Sequence, residues 1–380
     1  MTFTEYTNYL FHKSANRGIP LSGTFELTSR CNLDCKMCYI HRRENDAEAI
    51  KSELTAKEWL AIAKEAVNSG MLFVLLTGGE PLLRPDFPEI YLGCRKLGLM
   101  VSVNTNGTLI DERIADLFAF CPPARVNITV YGSSRDTYEK LCGHPAAFDR
   151  VMNGIRLLEE RRIPMKLNNT VTPYNVDDTE ALYRFGDAHG IWVLTSSYLY
   201  PPLRACGTCA KNDARLSPED AAKVRFAYDQ RRFSKEELTA RTRALLAGQS
   251  VADPDRECGD QSTERISCRA GETTFWITCS GDLRPCGMME KPTVPVRTGF
   301  PEAWSAVHQA REQIMLPSKC TACKKRVSCD ICPAAAYAET GTDNEAPAYL
   351  CRMNEAYTKL CEDYLRTITD DGTPSESTKG

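Results

Sequence analysis

Three cysteines stand within eight positions near the start of the chain, in the stretch ELTSRCNLDCKMCYIH. Cys31, Cys35 and Cys38 supply thiolates, which are ligands for zinc and for iron–sulfur clusters. Four cysteines would close a tetrahedral metal site, whereas three leave one iron of a four-iron cluster without a protein ligand. The spacing therefore predicts a cluster that can bind a small molecule and take part in chemistry. An incomplete zinc site, completed by a distant ligand such as His41, is the alternative.

A second group of cysteines occupies positions 258–361 of a chain that has 18 cysteines in 380 residues. In a reducing compartment, clustered cysteines are typical of metal or iron–sulfur ligation rather than of disulfides. The segment CTACKKRVSCDIC is by itself compatible with a four-cysteine zinc knot. Such a knot leaves three further cysteines unexplained, so the distribution predicts two metal-bearing regions; the three are Cys268, Cys286 and Cys351.

The overall composition excludes several classes of protein. The net charge is −3, so no general basic field favours nucleic acid as a partner. No apolar run approaches the roughly 20 residues that a membrane span needs. The first eighteen residues have no long apolar segment, so they do not resemble a signal peptide. We therefore expect a cytoplasmic protein without a membrane or nucleic-acid partner.

Residues 21–200 alternate β-rich segments with amphipathic helical ones. Thr55 and Glu58 form a capping-box pattern, and Asp86 with Glu89 repeats it. Strands that alternate with helices of this length predict parallel βαβ units. Six units predict an α/β fold with a partial (β/α)6 TIM-like barrel. The six strand candidates are GTFELTS, LFVLLTGG, MVSVNTNG, RVNITVYG, MKLNNTVT and IWVLTSSYLY.

The pattern changes after this barrel. Ser217 followed by proline predicts the start of a helix, and TFWITCSGDLRPCGMM predicts a hairpin that turns at Ser280–Asp282. We expect a small Cys-rich α+β iron–sulfur domain to follow the helical segment, and a polar tail without apolar residues to be disordered. The predicted boundaries are 1–20 for an N-terminal extension, 21–215 for the barrel, 216–257 for a helical bridge and linker, 258–365 for the Cys-rich domain and 366–380 for the tail.

Several unusual residues fall at the carboxyl ends of the predicted strands. The cysteine triplet follows the first strand, TGGEP ends the second, NTNG ends the third and Thr129 lies in the fourth. In a parallel βα barrel these ends share one rim, where functional groups collect. Paired glycines allow close approach to a ligand, and the Glu80 carboxylate would suit an ammonium group.

The C-x3-C-x2-C spacing, the aromatic Tyr39 and the downstream Gly-Gly-Glu-Pro together resemble the radical S-adenosylmethionine enzymes over about residues 21–200. The resemblance implies that the open iron binds S-adenosylmethionine, that the cluster reduces it to a 5′-deoxyadenosyl radical, and that a flavodoxin or ferredoxin type of protein supplies the electron. It also implies a set of cofactor contacts: Tyr39, Ile40, Gly78, Gly79, Glu80, Asn104, Asn106, Thr129 and Asn169.

Seven cysteines of the second group resemble the SPASM extension of radical S-adenosylmethionine enzymes, over about residues 258–361. The resemblance implies two auxiliary 4Fe-4S clusters, hence three in all. Cys268, Cys286 and Cys332 would hold the nearer cluster; Cys320, Cys323, Cys329 and Cys351 would hold the farther one. Two residues separate Cys329 from Cys332 where three are usual. Cys279 is either a further ligand of the nearer cluster or a thiol at the hairpin turn. Cys206, Cys209 and Cys258 lie outside the pattern.

The resemblance predicts a peptide maturase that forms a thioether or carbon–carbon crosslink in a ribosomally made peptide. A dehydrogenase acting on a protein Ser or Cys or on an alcohol, and a peptide epimerase, are the alternatives. Sulfatase-maturing dehydrogenases often have Asp where this chain has Gly287. Only about twenty residues precede the first strand, so we expect leader recognition by a separate protein, by the SPASM surface, or a peptide without a leader. No residue stands out as the catalytic acid or base.

Overall fold

The computed structural model of the chain describes residues 3–40, 42–201, 214–249, 251, 266–329, 331–342 and 344–370. The strands of its main sheet are β1 (Ser22–Glu26), β4 (Phe73–Thr77), β5 (Met100–Thr105), β6 (Arg125–Thr129), β7 (Met165–Thr170), β8 (Trp192–Ser196), β9 (Thr274–Ile277), β10 (Asp282–Arg284) and β11 (Val294–Pro295). The sheet is mixed, and its order is β11-β10-β9-β1-β4-β5-β6-β7-β8. Two short strands, β2 (Arg30–Cys31) and β3 (Arg42–Arg43), pair separately.

Helices follow the barrel strands and also make up much of the rest of the chain. They are α1 (Phe3–Ala15), α2 (Ala47–Ser52), α3 (Ala56–Asn68), α4 (Phe87–Lys96), α5 (Glu112–Phe120), α6 (Arg135–Cys142), α7 (Ala147–Glu160), α8 (Thr179–His189), α9 (Pro218–Arg232), α10 (Lys235–Leu246), α11 (Phe300–Arg311), α12 (Ser318–Thr321), α13 (Pro333–Thr340) and α14 (Ala348–Asp370). No helix among the described residues is long and apolar enough to cross a bilayer.

Six parallel strands, β1 and β4 to β8, form the predicted partial barrel. Each pairs with the next in sequence order, as in Ser22 opposite Phe73 and Lys166 opposite Trp192. The helices bury their apolar faces against the outside of this sheet; on α3, for example, Trp59 is completely buried and stacks on Phe25 of β1, with ring centroids 4.9 Å apart. The α/β class and the partial barrel are confirmed.

The predicted hairpin is present, and it extends the barrel sheet. Strand β9 pairs parallel to β1, with Ser22 opposite Thr274, and β10 returns antiparallel to β9. This pairing joins segments about 250 residues apart in the chain, and no local pattern in the sequence specifies it.

One of the two predicted capping boxes forms. Thr55 accepts a hydrogen bond from the Glu58 backbone N–H, and the Glu58 side chain accepts one from the Thr55 N–H. The second box is wrong, because Asp86 makes no side-chain cap at α4. Its carboxylate is instead held by the Arg84 guanidinium, through Nε at 2.9 Å and Nη2 at 2.7 Å.

The chain divides into two compact units, Met1–Arg215 with Arg269–Ile314, and Leu216–Cys268 with Met315–Gly380. The hairpin and α11 thus group with the barrel, whereas the predicted Cys-rich domain began at residue 258. In the second unit α14 packs along α9, where Tyr357 donates a hydrogen bond to Asp229 at 2.8 Å. Helix α14 continues to Asp370, past the predicted start of the tail at residue 366; the packing that fixes it involves buried side chains at helical spacing, Leu350, Met353, Tyr357 and Cys361.

Candidate active site

A cavity of about 220 Å³ at the carboxyl end of the barrel strands collects most of the predicted site residues. All three cysteines of the first triplet line it, together with backbone from the loop after β4 and side chains from β5 and β6. The predicted residues that line this cavity are Cys31, Cys35, Cys38, Tyr39, Ile40, Gly78, Gly79, Asn104, Asn106 and Thr129. We call it the cysteine cavity.

The loop that carries the three cysteines is held by the end of α6. The backbone N–H of Asp34 donates to the Cys142 carbonyl at 3.1 Å, and that of Lys36 donates to the Leu141 carbonyl at 3.0 Å. Within the loop, the Cys38 N–H donates to the Cys35 carbonyl at 3.0 Å. These backbone bonds fix the loop independently of any ligand.

The two glycines after β4 allow two backbone segments to pair. The Gly79 N–H donates to the Thr28 carbonyl at 2.7 Å, and the Glu80 N–H donates to the Arg30 carbonyl at 2.8 Å. A Cβ atom on Gly79 would lie 2.3 Å from the Arg30 oxygen, which no real Cβ tolerates. The glycines are therefore required for contact with the segment that leads into the cysteine loop.

Glu80 is completely buried and does not line the cysteine cavity. Its Oε1 accepts from the Thr105 hydroxyl at 2.8 Å and the Leu82 N–H at 3.0 Å, and its Oε2 accepts from the Asn106 N–H at 2.7 Å. Burial raises the pKa of Glu80 to about 7, against the lowering effect of these donors. The carboxylate thus ties the loop after β4 to the end of β5, and its contact with an ammonium group stays a prediction.

A buried ion-pair network lies behind these loops. The Glu53 carboxylate accepts hydrogen bonds from Arg30 Nε at 2.7 Å and from Arg30 Nη2 at 3.0 Å. Arg84 Nη1 lies 3.4 Å from the same carboxylate. The side chains of Arg30, Glu53 and Arg84 are only 11%, 7% and 5% exposed. Arg84 also donates to the carbonyls of Leu27 and Leu54, both at 2.9 Å. The network therefore ties the segment before the cysteine loop, at Arg30, to the segment after Glu80, at Arg84.

The Cys31 thiol is coupled to the loop after β5. Asn106 Nδ2 lies 3.6 Å from Cys31 Sγ and donates to Asn32 Oδ1 at 2.9 Å. Burial is the main cause that raises the pKa of Cys31, and the neighbouring Cys35 and Glu80 add to it. The thiol is therefore protonated before it meets a metal, and ligation would release the proton.

Two residues at this site had no assigned role in the sequence. The Cys35 thiol lies in hydrogen-bond contact with Cys142, the main cause that raises its pKa, and with the hydroxyl of the half-buried Tyr131. Tyr131 also lines the cysteine cavity. It stands two positions after Thr129, the last residue of β6, and an extended chain that continues the period of two would place both on one face. That spacing is the feature of the sequence from which the presence of Tyr131 at this site could have been predicted.

Asn169 is the remaining predicted contact, and it lies elsewhere. It lines a larger cavity of about 510 Å³ along the inner face of the barrel strands, which we call the barrel cavity. Asn104, Thr129 and Thr170 line both cavities. The cysteine cavity and the barrel cavity are therefore adjacent.

In the second unit, four cysteines surround a smaller cavity of about 110 Å³. They are the four predicted for the farther cluster, namely Cys320, Cys323, Cys329 and Cys351. Burial raises the pKa of Cys320 and of Cys351, and the nearby Cys323 raises both further. The structure thus brings this predicted set together.

The other predicted cysteine ligands are distributed over both units. Cys286 and Cys279 belong to the barrel unit and Cys268 and Cys332 to the second unit. Cys279 is buried, Ser29 hydrogen-bonds its thiol, and burial raises its pKa to about 11. Over the described ranges, no three Cys, His, Asp or Glu side chains converge closely enough for a single metal ion. His41, Cys206, Cys209 and Cys258 lie outside the described residues.

Comparison with known proteins places this site in a family. Residues 25–186 match the model of the Radical SAM superfamily. The chain is 30% identical over 342 residues to the AdoMet-dependent heme synthase of Nitratidesulfovibrio vulgaris, covering 86% of this chain and 90% of that protein. It is 32% identical over 159 residues to the Fe-coproporphyrin III synthase of Methanosarcina barkeri, covering 42% of this chain and 39% of that protein.

The fold has solved counterparts. The structure of native anSMEcpe with bound AdoMet and Cp18Cys peptide matches with a TM-score of 0.64 at 17% identity, covering 93% of this chain and 99% of that chain. At this identity the match concerns the fold alone. The family model and the heme synthase relative, 90% of which this chain covers, lead to one assignment: the chain belongs to the radical SAM superfamily.

Proposed function

We propose that this chain binds a four-iron cluster through Cys31, Cys35 and Cys38 and binds S-adenosylmethionine beside it. The supporting observation is that these three thiols line one cavity with the backbone of Gly78 and Gly79. Three thiolates are the number that leaves one iron of a four-iron cluster open to a small molecule. When bound, the cluster and S-adenosylmethionine supply a carbon radical that abstracts a hydrogen atom from the substrate.

The barrel cavity is the proposed place of the substrate. It shares Asn104, Thr129 and Thr170 with the cysteine cavity, so a molecule in one lies next to a molecule in the other. Hydrogen abstraction requires the reacting atoms to be held within about 3–3.5 Å of each other. Adjacent cavities with a shared wall support that proximity.

We propose a porphyrin with carboxylate side chains as the substrate class. The observation that carries this proposal is the similarity to a heme synthase over 90% of that protein's length. A porphyrin that reacts after hydrogen abstraction must also lose one electron to become a closed-shell product. The auxiliary clusters would accept this electron; we propose Cys268, Cys279, Cys286 and Cys332 for the nearer cluster and Cys320, Cys323, Cys329 and Cys351 for the farther one, as in a SPASM domain.

Modification of a peptide is the second candidate. The observation that favours it is the fold match to anSMEcpe, whose structure contains the Cp18Cys peptide. Crosslinking, dehydrogenation and epimerisation of a peptide all begin with the same hydrogen abstraction. A separate leader-binding protein would accompany the peptide, and a flavodoxin or ferredoxin type of donor would supply the electron in either case.

One experiment separates the two candidates. Reconstituted, reduced enzyme is incubated with S-adenosylmethionine and either Fe-coproporphyrin III or a peptide encoded beside the gene, and 5′-deoxyadenosine and substrate mass are measured. We expect Fe-coproporphyrin III to raise 5′-deoxyadenosine above the level without substrate and to be converted to a lighter product.

Incubation of the enzyme with the peptide tests the second candidate function. Loss of two hydrogens per modification in the peptide, with the porphyrin unchanged, would establish oxidative peptide modification in its place. A peptide whose mass is unchanged in ordinary water, but which gains one deuteron in heavy water, would indicate epimerisation. Either outcome would contradict the porphyrin proposal.

A further inference from the structure

The smaller cavity of the second unit, of about 110 Å³, has a wall that contains more than cysteines. Its four thiols belong to Cys320, Cys323, Cys329 and Cys351, and we call it the four-cysteine cavity. Four thiolates are the full ligand set of a 4Fe-4S cluster. Cys323 and Cys351 are exposed. A cluster here would lie near the surface, and the hydrogen bonds to its sulfurs would help to set its reduction potential.

Asn354 is a buried, uncharged residue in the wall of this cavity. It lies on α14 three positions after Cys351, so the two residues are neighbours on one helix face. Side chains of a helix point back toward its amino end, which directs the Asn354 amide over the turn that carries Cys351. Asn354 is only 5% exposed. The amide is therefore enclosed in the wall of the cavity, next to one of its thiols.

One hydrogen of the Asn354 amide holds the cysteine loop. Asn354 Nδ2 donates to the Lys325 carbonyl at 3.1 Å, and Lys325 lies between two of the four cysteines. The loop is held at a second point, where Arg225 of α9 donates to the Ser328 carbonyl at 3.0 Å. An asparagine NH2 group has two hydrogens, and the Lys325 carbonyl takes one of them. The other hydrogen is left for an acceptor within the cavity.

The oxygen of the same amide is unsatisfied. Asn354 Oδ1 is buried and has no hydrogen-bond partner within the described part of the chain. An unpaired buried oxygen lowers stability. A leucine would fill a similar space without an unpaired oxygen, so packing alone does not explain an amide at this position. What the amide offers and leucine lacks is its pair of hydrogens, and the cavity provides sulfur acceptors.

We propose that Asn354 raises the reduction potential of the farther cluster by donating its second amide hydrogen to a thiolate sulfur of the four-cysteine cavity. Reduction adds negative charge to the cluster and its thiolates, so a hydrogen bond to sulfur stabilises the reduced state. Asn354 acts through a cluster ligand and is a positioning residue. This inference rests on the proposed function, of which the farther cluster is a part.

The test is a redox titration of the reconstituted full-length chain, followed by electron paramagnetic resonance of the reduced clusters. The signal that is lost or altered in Cys351→Ala identifies the farther cluster. In Asn354→Leu its midpoint potential should become more negative, by about tenfold in the equilibrium constant for reduction, which is about 59 mV for one electron. Asn354→Gln keeps an amide donor and should recover part of this shift. Gln230→Leu removes an exposed amide of α9 and should titrate like the wild type.

A second measurement uses the wild-type chain and does not depend on how the leucine variant folds. The side-chain amides of asparagine are labelled with ¹⁵N, and pulsed electron paramagnetic resonance measures coupling of this nitrogen to the farther cluster. We expect a coupling that disappears in Asn354→Gln, whose amide is unlabelled.

The outcomes separate this inference from the proposed function. An unchanged midpoint in Asn354→Leu at wild-type iron content, or no ¹⁵N coupling in the wild type, would overturn the inference and leave the farther cluster in place. If Cys351→Ala alters none of the signals, the farther cluster and the role of Asn354 are both wrong.

Discussion

Replacing Glu53 by alanine is expected to lower the free energy of unfolding by about 3–5 kcal/mol, since removing one partner of a buried ion pair leaves uncompensated charge. Arg30 and Arg84 would both lose the carboxylate that they share, at side-chain exposures of 11% and 5%. Chemical denaturation of the apo-protein under anaerobic conditions measures the change. The same variant should also retain less iron after reconstitution, because Arg30 and Arg84 hold the segments beside the cysteine cavity.

Glu48→Ala is the matched control for this prediction. Glu48 lies on α2, five residues before Glu53, and pairs with Lys51 at 3.0 Å, but its side chain is 82% exposed. Exposed ion pairs contribute about 0–1 kcal/mol. If both variants lose the same small amount of stability, the network around Glu53 does not anchor the site.

Glu80 is expected to make the stability of the fold depend on pH. Its pKa is about 7 in the folded chain against 4.5 for the unperturbed group, so between these values the folded state binds a proton that the unfolded state releases. The free energy of unfolding should therefore be greatest below pH 4.5 and fall as the pH rises toward about 7. The shift corresponds to about 3 kcal/mol, and Glu80 is completely buried, so solvent does not screen it.

The comparison with Glu80→Gln isolates this contribution from the other titrating groups. Gln cannot ionise, so the difference in unfolding free energy between wild type and variant should change across pH 4.5 to about 7. Denaturation of both apo-proteins at several pH values in that window measures it. A difference that stays constant with pH would contradict the buried, ionisable environment of Glu80.

Local patterns in the sequence predicted the parts of the fold that local interactions determine. The capping box of Thr55 and Glu58 lies within one helical turn, and the hairpin turn at Ser280–Asp282 lies between adjacent strands. The convergence of Cys31, Gly78, Asn104 and Thr129 followed from a general property of parallel barrels. Asp86 shows the limit of such patterns, since a neighbouring arginine competes with the helix terminus for its carboxylate.

The features that the sequence did not reveal depend on contacts between distant segments. Glu53 meets Arg30 and Arg84 across 23 and 31 positions, and Glu80 meets Thr105 across 25. A charged residue in a sequence gives no indication that its partner is buried with it. Arg125 and Lys166 likewise belong to one cavity only after β6 and β7 have paired.

The most direct test of the proposed radical chemistry measures 5′-deoxyadenosine and iron in the wild type and in the variant with Cys31, Cys35 and Cys38 all changed to alanine. The reduced wild type should cleave S-adenosylmethionine slowly without substrate and contain iron and sulfide equivalent to three four-iron clusters. The variant should form no 5′-deoxyadenosine and retain about two-thirds of the iron, because the proposed auxiliary clusters use other cysteines. Zinc with almost no sulfide in the wild type, or unchanged cleavage in the variant, would contradict the assignment of the cluster to these three residues.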